Sequence, residues 1–105
     1  MRDEPAARET PELQRLRRRI DALDRRIVEL LNERAELGRA VGREKVAAGR
    51  HAVRDAERER EVLLRVTMAN TGPIPQADLL VIYRRLIRVT RALEARDRER
   101  EGEAD

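Results

Sequence analysis

The chain has 105 residues, a length typical of one domain, with 43% charged residues, 1% aromatic residues and no cysteine. The absence of cysteine excludes disulfides and thiolate metal sites and is typical of the reducing cytoplasm, where we expect the protein to reside. The net charge is only +3, from 24 Lys and Arg against 21 Asp and Glu, which argues against nucleic-acid binding, and no apolar run is long enough to cross a membrane.

The chain opens with a polar segment that contains Pro5 and shows no periodicity. We therefore expect residues 1–10 to be a disordered lead without an export signal. Thr10 and Pro11 are typical of a helix start, with threonine as the N-cap and proline at the first helical position. Apolar residues then recur at steps of three and four, an apolar line formed by Leu13, Leu16, Ile20, Leu23, Ile27, Leu30, Leu37 and Val41. This spacing predicts one helix from residue 11 to about residue 48.

The length of this first helix predicts a dimer. A helix of that length would extend roughly 55 Å at 1.5 Å per residue. A compact monomer of this size has a radius of gyration of about 13 Å, so another chain would have to cover one side of the helix.

Two cations interrupt the apolar line. Arg34 stands where the spacing demands an apolar residue, and Lys45, the single lysine, lies close to the same line. Cations on a buried line are costly unless an anion meets them. These two residues therefore mark either a buried polar network or a binding site.

A break follows the first helix, and a shorter second helix follows the break. Gly49 is a plausible helix C-cap, and we expect His51 to be an exposed loop residue rather than a metal ligand or a base. The second helix is predicted from about residue 54 to residue 70. One face of it begins with a charged cluster of Asp55, Arg58 and Glu59 and continues with apolar residues.

The third helix is predicted from about Pro75 to Arg98, followed by a charged tail over residues 99–105. Its spacing predicts a core line of Leu79, Ile82, Leu86, Val89 and Leu93. Beside this runs an inner line of Tyr83, Ile87, Thr90 and Glu94. Two polar residues one turn apart therefore interrupt the edge of an apolar face.

The misplaced polar residues allow two interpretations. In the first, Arg34 pairs with Glu59 or Glu94 inside a buried network that fixes the register of the helices. In the second, the polar residues bind a small anion. A dicarboxylate would suit such a site, because guanidinium groups bind carboxylates bidentately.

Four segments of the chain resemble the all-helical, AroQ-type chorismate mutases, and the resemblance extends over residues 13–93. The segments are residues 16–24 (LRRRIDALD), 30–37 (LLNERAEL), 41–45 (VGREK) and 53–59 (VRDAERE). The resemblance implies an all-α fold with three helices per chain, one long and two shorter, in an intertwined homodimer. It assigns residues 11–98 to one chorismate mutase-like helical domain.

The resemblance also implies which residues bind the substrate. Arg17 would cross from the partner chain into the site, and its position about 100° round the helix from the Arg34 line is compatible with this. Arg34 and Arg58 would bind substrate carboxylates. Asp55 and Glu59 would lie near the ring hydroxyl.

The same resemblance implies the residues that act on the reaction. Lys45 would lie on the ether oxygen of the substrate, with Arg34 holding a carboxylate beside it. Thr90 would contact the ring carboxylate. Glu94 stands where many members of the family have glutamine, and a carboxylate there would repel the developing negative charge. We therefore expect Glu94 to act in its protonated form, so that activity rises as the pH falls.

The family reaction is the Claisen rearrangement of chorismate to prephenate in aromatic amino acid biosynthesis, which makes the expected enzyme an isomerase without metal or cofactor. The same fold could instead act on 4-amino-4-deoxychorismate or remove pyruvate from isochorismate. A non-enzymatic helical dimer that binds protein or nucleic acid through Arg84, Arg85, Arg88 and Arg91 is a further alternative. An activating partner from the shikimate pathway is also compatible with the sequence.

Overall fold

The computed structural model describes residues 8–50 and 54–104, with side chains up to residue 102, and within these ranges it contains helices and no strand. The helices are α1 (Pro11–Ala47), α2 (Ala56–Ala69) and α3 (Gln76–Ala104). The predicted all-α fold with one long and two shorter helices is therefore confirmed. No described helix is long and apolar enough to cross a membrane. His51 lies outside the described residues.

Both ends of α1 follow the local signals in the sequence. The Leu13 N–H donates to Thr10 Oγ1 over 3.0 Å, so Thr10 caps the helix and Pro11 takes its first position. At the other end Gly49 adopts a φ of 78°, and the Arg50 N–H donates to the Lys45 carbonyl over 2.8 Å. The left-handed conformation of this glycine lets backbone N–H groups after the helix bond to its last carbonyls, which is a Schellman motif.

The other two helices differ slightly from the predicted bounds. Asp55 caps α2, which therefore begins two residues later than predicted, at Ala56. The Asn70 side chain donates to Ile74 O and Gln76 Oε1, over 3.0 and 2.8 Å, and so orders the turn between α2 and α3. Helix α3 continues to Ala104 instead of ending at Arg98, because the Arg, Glu and Ala residues of the predicted tail favour helix.

The chain divides into two compact units, Met1–Glu33 and Arg34–Asp105. The described part of the N-terminal unit is the first part of α1 with the residues before it. There the apolar line is exposed: Leu23, for example, is 60% accessible, and Ile20 and Ile27 are similarly exposed. This unit therefore presents an apolar surface that it does not cover itself.

The C-terminal unit contains the end of α1 together with α2 and α3. The buried side chains of α3 belong to its inner line, at Ile87 and Glu94, whereas Ile82 on the core line is 50% accessible. Leu79, Leu86 and Leu93 on the same line are half-buried, so one chain alone covers the core line only in part. The spacing identified the apolar residues correctly but could not tell which of them meet the same chain.

Candidate active site

A cavity of about 310 Å³, the first cavity, lies among α1, α2 and α3 of the C-terminal unit. Seven of the eight predicted site residues line it: Arg34, Lys45, Asp55, Arg58, Glu59, Thr90 and Glu94. The eighth, Arg17, belongs to the N-terminal unit, where its side chain is exposed and its Nη2 lies 3.5 Å from Glu9 Oε2. The C-terminal unit thus brings together residues from three separate stretches of sequence.

Lys45 and Glu94 form a buried ion pair on one wall of the first cavity. The Lys45 Nζ lies 3.7 Å from Glu94 Oε2, and their side chains are 11% and 7% exposed. Among the described residues nothing donates a hydrogen bond to Glu94 Oε2. A polar oxygen buried without a hydrogen-bond partner is a costly arrangement unless a ligand completes it. This wall is therefore prepared for a polar ligand atom.

Two glycines bring α1 close to the two polar residues of α3. A Cβ added at Gly38 would overlap Thr90 Cγ2, and one added at Gly42 would lie 2.9 Å from Glu94 Cγ. The two glycines are four residues apart and so share one face of the helix. No role was predicted for these two glycines from the sequence. Their spacing was the signal that could have predicted a close helix contact.

A second contact between α1 and α3 lies one turn away from this wall. The Arg39 guanidinium donates two hydrogen bonds to the Asp97 carboxylate, over 2.9 and 3.0 Å. This bidentate pair holds the pKa of Asp97 below its ordinary value and raises that of Arg39. The pair fixes the two helices beside Lys45 and Glu94.

Arg34 faces an aromatic ring instead of a carboxylate. Its guanidinium carbon lies 5.8 Å from the centre of the Tyr83 ring, which is a cation–π contact. In the described part of the chain Arg34 forms an ion pair with neither Glu59 nor Glu94. The proposed register pairing of Arg34 with these carboxylates is therefore wrong, and its guanidinium keeps its donors for another partner.

Asp55 has a structural task at the start of α2. Its Oδ1 accepts the Arg58 N–H over 3.0 Å, which makes Asp55 the N-cap of the helix. This backbone hydrogen bond lowers the pKa of Asp55, with smaller contributions in the same direction from Arg50 and Lys45, against the opposing effect of burial. The charged form of Asp55 is thus favoured at the rim of the first cavity.

Glu59 lies between two arginines, and one of them was missed by sequence reasoning. Its Oε1 lies 3.5 Å from Arg54 Nε, and its Oε2 lies 3.3 Å from Arg91 Nε. Arg91 also lines the first cavity, one turn after Ile87. Arg58 is exposed on the rim, where its Nη1 lies 3.1 Å from Glu61 Oε1. Sequence reasoning had placed Arg91 only on an arginine-rich surface.

The cavity combines charge with an apolar wall. Four cations and three carboxylates line it, together with apolar residues such as Val41 and Ile87. The hydroxyl of Thr90, the cavity's hydroxyl side chain, already donates to Leu86 O over 3.0 Å. The arrangement can bind a small molecule that has carboxylates at its edge and a carbon skeleton against the apolar wall.

Comparison with known proteins gives consistent matches. The chorismate mutase type II family matches residues 16–95. A bifunctional chorismate mutase/prephenate dehydratase from Aquifex aeolicus is 39% identical over 87 residues, which cover 79% of this chain and 24% of that protein. Its counterpart from Stutzerimonas stutzeri is 36% identical, covering 82% of this chain and 25% of that protein. The chain thus spans about a quarter of the length of these curated relatives.

A solved structure is also similar. The chorismate mutase (form II) from Thermus thermophilus superposes with a TM-score of 0.76 at 32% identity. The superposition covers 81% of this chain and 96% of that chain. The similarity therefore includes nearly the whole of that solved chain.

Proposed function

Since the chain belongs to the chorismate mutase type II family, we propose that it catalyses the rearrangement of chorismate to prephenate. The observation that carries this proposal is the first cavity, where seven of the residues that the resemblance assigns to the substrate come together. The reaction breaks the ether C–O bond while a C–C bond forms within one molecule. It needs no nucleophile from the protein, and the Thr90 hydroxyl in this cavity already donates a hydrogen bond to the Leu86 carbonyl.

The first task of the site would be to hold a flexible dicarboxylate in a compact, chair-like shape. Arg34 is half-buried and keeps its donors for a ligand, so it would bind one carboxylate in a fork. Arg58 on the rim would exchange its contact with Glu61 for the other carboxylate. Holding the two reacting carbons together in this way can supply several kcal/mol, about 7 or more in favourable cases.

The second task would be to stabilise the negative charge that develops on the ether oxygen. Lys45 is half-buried beside Glu94 on the wall of the first cavity, where its ammonium could face that oxygen. Glu94 would act as a hydrogen-bond donor, which requires its protonated form. Protonation would remove the charge attraction between Glu94 and Lys45, and the Lys45 ammonium could then interact with the substrate.

We also propose that the protein is an intertwined homodimer in the cytoplasm and that the partner supplies its Arg17 to the first cavity. The exposed apolar line of the N-terminal unit supports this, because burial of such residues favours association. Arg17 is exposed on the same stretch of α1, and its contact with Glu9 lies at the surface and is easily exchanged.

The test of the proposed function is an assay of purified protein with chorismate, followed by ultraviolet absorbance and identification of the product. We expect prephenate, and we expect Arg34→Ala and Lys45→Ala each to lower kcat/KM by about 10²-fold or more, since each removes charge stabilisation at the reacting groups. Arg43→Ala, a change at an exposed cation of the same helix, is the matched control and should leave the rate unchanged.

Other substrates and partners give distinct outcomes in the same assay. Turnover of isochorismate or 4-amino-4-deoxychorismate, with none of chorismate, would contradict the proposed substrate while keeping the fold. Activity that appears only after a larger shikimate-pathway enzyme is added would identify an activating partner.

A further inference from the structure

A second cavity, of about 380 Å³, lies between α2 and α3 in the C-terminal unit. Its charged lining consists of five arginines and one carboxylate: Arg54, Arg60, Arg84, Arg88, Arg91 and Glu59. It shares Glu59, Ile87 and Arg91 with the first cavity. The two cavities are therefore neighbours with a common wall.

In the described part of the chain, carboxylates do not balance the positive charge that lines the second cavity. Arg54 and Arg91 share the single carboxylate of Glu59. Within the described ranges, Arg60, Arg84 and Arg88 form no ion pair with any carboxylate. Concentrated like charge destabilises the folded state unless an anion neutralises it.

We propose that the second cavity is a regulatory site for a small polyanion with at least two phosphate or carboxylate groups. The site is concave and slightly larger than the first cavity, so it can enclose a molecule of metabolite size. Several guanidinium groups facing one space are suited to phosphate or carboxylate oxygens, which they bind in pairs. A monoanion would leave most of this charge unpaired.

The shared wall couples the second cavity to the first. A polyanion attracts Arg54 and Arg91 and so weakens their contacts with Glu59, which lines both cavities. It also places negative charge next to a cavity that would hold a dicarboxylate. Both effects weaken substrate binding, so the polyanion inhibits. This coupling rests on the proposed function, whereas binding of the polyanion does not.

Binding is tested by isothermal titration calorimetry of the full chain with pyrophosphate and with citrate, at constant ionic strength. We expect saturable binding of at least one probe, and the tighter of the two identifies phosphate or carboxylate as the preferred group. The double change Arg84→Ala and Arg88→Ala should weaken binding by at least about tenfold, because it removes two charge-assisted contacts. No saturable binding of either probe would overturn the site.

The matched control removes the same charge from the same helix at exposed positions that line neither cavity, Arg85→Ala with Arg96→Ala. It should bind both probes like the unchanged protein. Equal weakening in the two double variants would mean attraction to net charge alone and would overturn the site. Circular dichroism of each variant verifies that the helices are intact.

The coupling is tested by chorismate kinetics with the tighter probe. The apparent KM should rise about fivefold and then reach a plateau, as expected of two sites with a modest coupling energy. The Arg84→Ala and Arg88→Ala variant should keep its KM without the probe and lose the rise. If the apparent KM rises without a plateau and does so in this variant as well, the probe binds in the first cavity. That result would overturn the coupling. Should the protein lack mutase activity, the calorimetry still decides whether the site exists.

Discussion

In most proteins apolar side chains are buried and charged ones are exposed, and the two units of this chain depart from that pattern in opposite ways. The N-terminal unit exposes large apolar side chains along one line of α1. The C-terminal unit buries a lysine and a glutamate against each other beside a cavity. Covering exposed apolar side chains with another protein surface is favourable and stabilises an assembly. A buried charge beside a cavity is instead stabilised by a polar ligand. One helix can therefore carry an assembly surface in its first part and a binding site in its second part.

The largest effect is expected from breaking the apolar surface. Leu23→Glu places a charge at its centre and should convert the proposed dimer into monomers. If the partner supplies Arg17, these monomers lack it and should lose activity by about 10²-fold or more. Sedimentation and the chorismate assay measure the two effects. Arg25→Glu, on the opposite side of α1, is the control and should keep both properties. A fully active monomeric Leu23→Glu variant would contradict the proposed assembly.

The next effect concerns the buried charge of the C-terminal unit. If Glu94 must be protonated to donate a hydrogen bond, the rate should fall as the pH rises. Glu94→Gln donates at every pH and should give a flat profile of kcat against pH. A profile that keeps its slope in this variant would remove Glu94 from the reaction.

A smaller effect is expected from the glycine contact that positions Thr90. Gly38→Ala adds a Cβ that overlaps Thr90 Cγ2, so it should displace α3 and lower kcat by about tenfold, as small misplacements of site residues do. Thr90→Ser keeps the hydroxyl and removes the overlapping methyl group. The double variant should therefore recover most of the lost rate. Additive losses in the double variant would show that this contact does not limit the reaction.

The smallest effect concerns stability. The Arg39 guanidinium lowers the pKa of Asp97 below its ordinary value of 3.8, so the folded state favours the charged carboxylate. This contribution is complete above about pH 3.8 and is lost as the pH falls from there through the lower pKa of the folded state. Asp97→Asn should therefore lower the free energy of unfolding at neutral pH, and the difference should shrink below 3.8.

Thermal unfolding over a pH series measures this difference, with Asp24→Asn as the exposed control. A difference that stays constant into strong acid would contradict the assigned role of the Arg39–Asp97 pair.

Local signals in the sequence predicted most of the fold. The ends of α1 are formed as predicted, with Thr10 as the N-cap, Pro11 at the first helical position and Gly49 at the C-terminal end. The recurrence of apolar residues at steps of three and four predicted each helix that the structure describes. The end of α3 was missed because charged residues with good helix propensity resemble a disordered tail. Ile82 on the core line is exposed within one chain, because periodicity identifies an apolar face without identifying what covers it.

The candidate site was predicted in part. Its cations and carboxylates attracted attention because they interrupt apolar lines, and the resemblance supplied their roles. Gly38 and Arg91 were missed because their importance depends on what the facing helix places opposite them. The second cavity could not be predicted either, because the packing of α2 against α3 decides whether an arginine-rich helix face is concave or flat.

The most direct test of the account mixes two inactive variants, Arg17→Ala and Lys45→Ala, after joint unfolding and refolding. If the partner chain supplies Arg17, each mixed dimer contains one intact site beside one that has lost both residues. Random pairing makes about half of the dimers mixed, so we predict about a quarter of the unchanged protein's activity. Activity no higher than that of the separate variants would contradict a site completed by the partner chain.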